Sequence, residues 1–184
     1  MPKEDHRREF PPLSITHEAW LNDGTDLEFR EFVATFLTLS NMILESRDWI
    51  AGSVDLSGPQ YSVLAHVAQY GAPKISDIAA SMDVTSNFIT VMVNDLEAKG
   101  LVSRVVDSND RRIRRLSLTE RGTAAIHTLT PYRRRVNDLF YHGFSRDEVE
   151  QLIRFIHRLY NNGRNANYQT RGADEMAQSK VAVP

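Results

Sequence analysis

The sequence contains no cysteine. Disulfide scaffolds, thiolate metal sites and thiol-based redox sensing are therefore excluded. No apolar run approaches the ~18 residues that cross a bilayer, so neither a membrane span nor a membrane partner is expected. Met1 to Phe10 is polar and mixed in charge, without the basic start and apolar stretch of a secretory signal. A cytoplasmic protein is the natural reading. Glycine and proline number only 9 and 7, which removes collagen-like and low-complexity classes. The histidines (His6, His17, His66, His127, His142 and His157) form no compact ligand pattern such as His-Glu-x-x-His. No metal site and no cofactor are expected. A glycine-rich phosphate loop and a Gly-x-Ser-x-Gly elbow are also missing, so the chain offers no catalytic residues and reads as a non-enzyme.

What is present is 184 residues, about one domain, with 41% hydrophobic residues to build a core. The net charge of −2 conceals an asymmetry. Residues 1–73 carry a net −6, residues 74–121 a net +1 and residues 122–184 a net +3. Six arginines face three acids between 104 and 121, a local positive stripe compatible with nucleic-acid contact.

Periodicity divides the chain. Residues 1–26, with Pro2, Pro11, Pro12 and Gly24, read as a loose arm with a short helix near Ile15–Asn22. Phe29, Phe32, Val33, Phe36, Leu37, Ile43 and Leu44 recur at helical spacing, predicting a long helix within 27–55. Ser57 with Gln60 three residues later is a capping box that opens the next helix, which Gly71 and Pro73 close. Ile75 to Met82 predicts a short helix. Thr85 or Ser86 caps another that Gly100 stops, with Ile89, Met92, Val93 and Leu96 inward. The period then changes to that of strands at Val102–Val106 and Arg114–Thr119, around the turn cluster Asp107-Ser108-Asn109-Asp110. Two further helices are expected within 122–161, the second opened by the capping box at Ser145 and Glu148, and 162–184 reads as a flexible tail.

Two short helices, a third across a turn and a two-stranded hairpin spell a winged helix-turn-helix over 56–121. The fold class is mainly α with a small β-hairpin wing, flanked by N- and C-terminal dimerisation helices. The helix after the turn is shaped to enter a major groove. Its expected contacts are Thr85, Ser86, Asn87, Thr90, Val91 and Asn94, helped by Ser76 on the preceding helix. Arg111, Arg112, Arg114 and Arg115 at the wing are expected on the DNA backbone or in the minor groove. One such unit reads one half-site, so a homodimer on a pseudo-palindromic double-stranded operator is expected. Its seam would come from Phe140, Phe144, Leu152, Phe155, Ile156 and Leu159, together with the first long helix.

These strings resemble the MarR family of transcriptional regulators. The resemblance rests on Leu56-Ser57-Gly58-Pro59-Gln60-Tyr61, Ile75-Ser76-Asp77-Ile78-Ala79 and Leu96-Glu97-Ala98-Lys99-Gly100-Leu101-Val102, and most of all on Asp107 through Gly122 with its Leu-Thr-x-x-Gly close. It implies a dimeric regulator, read here as a repressor released by a small aromatic acid or its coenzyme A thioester. The other reading is a winged-helix DNA-binding protein without an effector. The resemblance also implies that Asp110 pairs with Arg112 to hold the wing. Ligands of the family lodge between the dimer helices and the reading helices, which nominates Arg30, Ser40, Asn41, Tyr61, Ser62 and His66. The sequence departs from many relatives at Val91, where those carry arginine.

Overall fold

The computed structural model describes the backbone of residues 12–181 and the side chains of residues 12–167. Residues 1–11 of the expected arm and 182–184 of the expected tail lie outside the described residues. The elements run α1 (Leu27–Gly52), α2 (Gly58–Tyr70), α3 (Ile75–Met82), α4 (Ser86–Ala98), β1 (Val102–Val106), β2 (Arg114–Leu118), α5 (Glu120–Phe140) and α6 (Arg146–Val181). The described residues divide into two compact units, one up to Val136 and the other from Asn137 onward.

Within the first unit, local chemistry sets each boundary. Ser57 accepts from the Gln60 amide while the Gln60 side chain accepts from the Ser57 amide, so α2 starts where the capping box says it should. Thr85 accepts from the Phe88 amide at 3.2 Å and starts α4. Asp83, at φ 53°, makes the left-handed turn between α3 and α4, a conformation that aspartate tolerates better than most residues. Strands β1 and β2 pair antiparallel from Val102↔Leu118 to Val106↔Arg114. The core is continuous: Val63, Leu64 and Val67 of α2, Ile78 of α3, Ile89, Val93 and Leu96 of α4, Leu116 of β2 and Leu129 of α5 are all buried. Burying a side chain of this kind contributes about 1.5–3 kcal/mol.

The predicted short helix near Ile15–Asn22 is a single 3₁₀ turn, Glu18–Trp20. Helix α1 buries only Ile50 and Ala51 of its length. Its expected apolar face stays half-buried or exposed, with Trp20 packed against Phe29 and Phe32 at its start.

In the second unit, Ser145 and Glu148 cap α6 from both sides: the carboxylate accepts from the Ser145 amide and hydroxyl at 2.8 and 2.7 Å. These bonds hold the Glu148 pKa below the ordinary value. The helix does not stop at Asn161, where the sequence places the start of a tail, but runs to Val181. No proline falls in 162–181 to end it, and over 162–167 every residue is exposed, so that part of the extension is held by its own backbone bonds rather than by a core.

Candidate nucleic-acid interface

Helix α4 is anchored on one side and open on the other. Ile89, Val93 and Leu96 are buried, which turns Ser86, Asn87, Val91 and Asn94 outward. Several of the nominated polar groups are already engaged. The Thr90 hydroxyl donates to the Ser86 carbonyl at 2.8 Å, one turn back. Asn94 accepts from Arg104 of β1 at 2.8 Å, and the same guanidinium pairs with Glu97 at 2.7 Å. Asp95 accepts from Gln60 at 3.2 Å. Lys99, just past the helix, donates to the Asp55 carbonyl at 2.5 Å. Ser76 is exposed on α3, its hydroxyl 3.5 Å from Asp77. Phe88 is exposed on the first turn, three residues before Val91, and the sequence reading passed over it. Its signal was an aromatic at a helix start that the inward set Ile89, Val93 and Leu96 leaves out. Arg104 was also missed; its strand position facing α4 becomes visible only in the fold.

The wing is held differently from the resemblance's implication. Between Asp110 and Arg112 runs only a bond from the Arg112 backbone amide to the Asp110 carboxylate, at 2.9 Å. The ion pair that fastens the wing joins Asp107 to Arg115. Asp107 is 9% exposed and also accepts from the Asn109 and Asp110 amides, at 2.8 and 3.0 Å, which shapes the tip. Arg115 bonds to the Ala72 carbonyl at 2.9 Å, and the Leu116 amide to the Pro73 carbonyl at 2.9 Å. The hairpin is thereby tied to the α2–α3 turn. Arg115 donation, followed by the two amides, holds the Asp107 pKa at about 2. Arg115 is therefore a clamp, spent inside the wing. The sequence could not rank Asp107 above Asp110, because both acids stand in one turn cluster and only the register decides which one meets an arginine.

Arg111 and Arg112 are exposed and take no part in the ion pairs found among the described residues. Arg114 is exposed too, with one bond to the Arg111 carbonyl at 3.2 Å. This gives a specific expectation. Arg112→Ala leaves the Asp110 bond in place, because that bond uses the backbone. It should weaken binding to all duplexes alike and lower the salt slope of log K by about 1. Fluorescence-anisotropy titrations at several salt concentrations measure both. An unchanged slope removes Arg112 from the phosphate contacts.

The nominated ligand residues are not gathered into one site. The Arg30 guanidinium donates to Asp26 at 2.8 Å and to the Pro12 carbonyl at 2.6 Å. Asp26 is buried and also accepts from the Ser14 hydroxyl and amide, both at 2.6 Å. Arg30, then Ser14, pulls the Asp26 pKa well below the usual carboxylate range. The group pins residues 12–14 to the start of α1. Ser40 and Ser62 donate to the Phe36 and Gly58 carbonyls at 2.8 and 3.0 Å. His66 Nδ1 lies 2.8 Å from the Ser62 carbonyl, Tyr61 is in the core, and Asn41 is exposed. Arg30 and Asn41 stand about 16 Å apart along α1. None of the six lines the cavity of about 350 Å³ bounded by Tyr70, Ala72, Pro73, Asp77, Ser81 and Arg115. Among the described residues there is no metal-binding cluster and no helix long and apolar enough to cross a membrane.

Comparison with known proteins agrees with this geometry. Residues 56–113 match the family model described as MarR family. The HTH-type transcriptional repressor MdtR of Bacillus subtilis (strain 168) is 30% identical over 100 residues, 54% of this chain and 64% of the repressor. The match thus spans a little under two thirds of that repressor's length. Among solved structures, the S. aureus MepR–DNA complex superposes with a TM-score of 0.63 at 21% identity, over 70% of this chain and 93% of that one. CouR from Rhodococcus jostii RHA1, bound to p-coumaroyl-CoA, gives 0.64 at 22% identity, over 68% and 88%. At these identities the structures establish the mainly helical, winged fold.

Proposed function

From the match of residues 56–113 to the MarR family model, we propose that this chain is a MarR-type, sequence-specific DNA-binding transcriptional regulator working in the cytoplasm as a homodimer. The carrying observation is the open face of α4 beside a wing whose clamp leaves Arg111, Arg112 and Arg114 exposed. The kinship with a named repressor supports repression as its mode. Dimerisation is supported by apolar side chains that no part of the described chain covers. Helix α1 exposes Leu37, Leu39, Met42 and Leu44, and α6, in the other unit, exposes Leu152, Phe155, Ile156 and Leu159. A dimer at micromolar concentration is expected in sedimentation, with an interface above ~2,000 Å². A monomer there contradicts it.

The test of DNA reading is selection of duplexes from a randomised pool by the purified protein. Pseudo-palindromes with half-sites about one turn apart are expected, with affinity falling steeply as salt rises. Failure to enrich any sequence overturns the proposal. For release, aromatic acids or their thioesters are the proposed class, supported by the neighbour that binds p-coumaroyl-CoA. A regulator without an effector is favoured by one observation: Arg30, Ser40, Ser62 and His66 all have bonds within the chain. Titrating the selected duplex with hydroxybenzoates, hydroxycinnamates and their coenzyme A esters separates the two.

A further inference from the structure

The base-reading vocabulary of α4 is unusually narrow. In a major groove, guanine is read by arginine or lysine, adenine by asparagine or glutamine, cytosine by an acid, and the thymine methyl by apolar contact. The thirteen residues of α4 contain no arginine, lysine, glutamine or histidine. The first cation after it in the chain, Lys99, is bound to the Asp55 carbonyl. The two acids are engaged, Asp95 by Gln60 and Glu97 by Arg104. Asn94 is held by Arg104, and the Thr90 hydroxyl is turned onto its own helix. On the open face this leaves Ser86, Asn87 and two apolar side chains. Val91, at the middle of that face, is 54% exposed, and Phe88, one turn before it, is 39% exposed. Positions 88 and 91, and 87 and 91, are surface neighbours on a helix.

We infer that α4 reads its operator chiefly through the C5-methyl groups of thymine, met by Val91 and Phe88, with Asn87 on a neighbouring adenine, Ser86 at the helix start on phosphate, and no arginine or lysine of this helix on guanine. The inference rests on the DNA-reading function proposed above. Exposed apolar area in a hydrated groove becomes favourable only where it meets other apolar surface, and in B-DNA the thymine methyl is the one such group on a base edge. The Arg104 bridge narrows the reading face further. It withdraws Asn94 and Glu97 together, and it fixes β1 to α4 so that neither is readily released to a base.

The experiment uses the duplexes selected from the randomised pool. Each thymine of a half-site is replaced by uracil, which removes the methyl alone, and each guanine by 7-deazaguanine, which removes the major-groove N7 acceptor. Uracil is expected to weaken binding about fourfold at each contacted thymine, the worth of one buried methyl. 7-Deazaguanine is expected to change nothing under α4. Val91→Ala and Phe88→Ala should each abolish the uracil effect at one thymine in a protein that still melts cooperatively, with the smaller loss of melting temperature at Val91, which is 54% exposed against 39% for Phe88. Tight binding that is indifferent to uracil, or weakened by 7-deazaguanine under α4, overturns the inference and leaves DNA reading intact. A pool that yields no enriched duplex overturns the function itself, and the inference with it.

Discussion

Gly122→Ala is expected to destabilise the protein by about 3 kcal/mol, at the upper end of what inserting one methyl into a packed site costs. A Cβ at this position would lie 2.0 Å from the Leu101 carbonyl oxygen and 3.3 Å from Leu118 Cδ2. The oxygen cannot step aside cheaply, because it accepts the Thr119 amide at 3.1 Å. Thr119 is itself fixed: its hydroxyl donates to the Gly100 carbonyl at 2.6 Å and accepts the Gly122 amide at 3.0 Å. One small junction thus joins the end of α4, the base of the wing and the start of α5, and only glycine permits the approach. Gly163→Ala is the matching control, since nothing lies within 4 Å of its Cβ position in α6. There the usual helix preference for alanine should appear as a gain of up to about 1 kcal/mol. Chemical denaturation of the two variants should therefore give opposite signs. A Gly122→Ala protein as stable as the parent contradicts this packing.

Gly122 also shows what kind of information the sequence holds. The Leu-Thr-x-x-Gly string was legible as a resemblance, and it located the end of the wing, but its cause lies in a carbonyl some twenty residues earlier. Local signals carried further. The Ser57 and Ser145 caps, the inward set of α4 and the two strands stand where spacing and capping chemistry put them, because those forces act within a few residues. The misplaced wing pair has a different origin. Asp107 and Asp110 are equivalent in sequence terms, and the distinction arises when β1 and β2 align Val106 with Arg114 and Val105 with Arg115. The dispersal of the nominated ligand residues is non-local as well. Arg30 is occupied by a carbonyl eighteen residues away, and no periodicity encodes that bond.

The clamp leads to the second large effect. Arg115→Ala should lower affinity for every duplex about tenfold, as a coupled pair of this kind allows. It should do so without removing a phosphate contact, because the guanidinium is already bonded to Asp107 and to the Ala72 carbonyl. Asp107→Ala should produce a similar loss, and the double variant should be little worse than either single one, since each change removes the same fastening. Additive losses would show that the two side chains act separately. Acid provides a second readout. The folded carboxylate has a pKa of about 2, below its ordinary 3.8, because Arg115 and two amides favour the charged form. Between those values the unfolded chain binds the proton and the folded chain does not, so folding stability falls as pH drops through this window. Above about pH 5 the unfolded chain has also lost the proton, and the contribution is complete and no longer varies. Asp107→Asn removes the titrating group but keeps an oxygen for the Asn109 and Asp110 amides. Its stability should therefore be lower than the parent's at neutral pH and should fall less steeply from pH 4 to pH 2. Parallel pH profiles for parent and variant in thermal denaturation would exclude Asp107 as the carboxylate whose charge holds the wing.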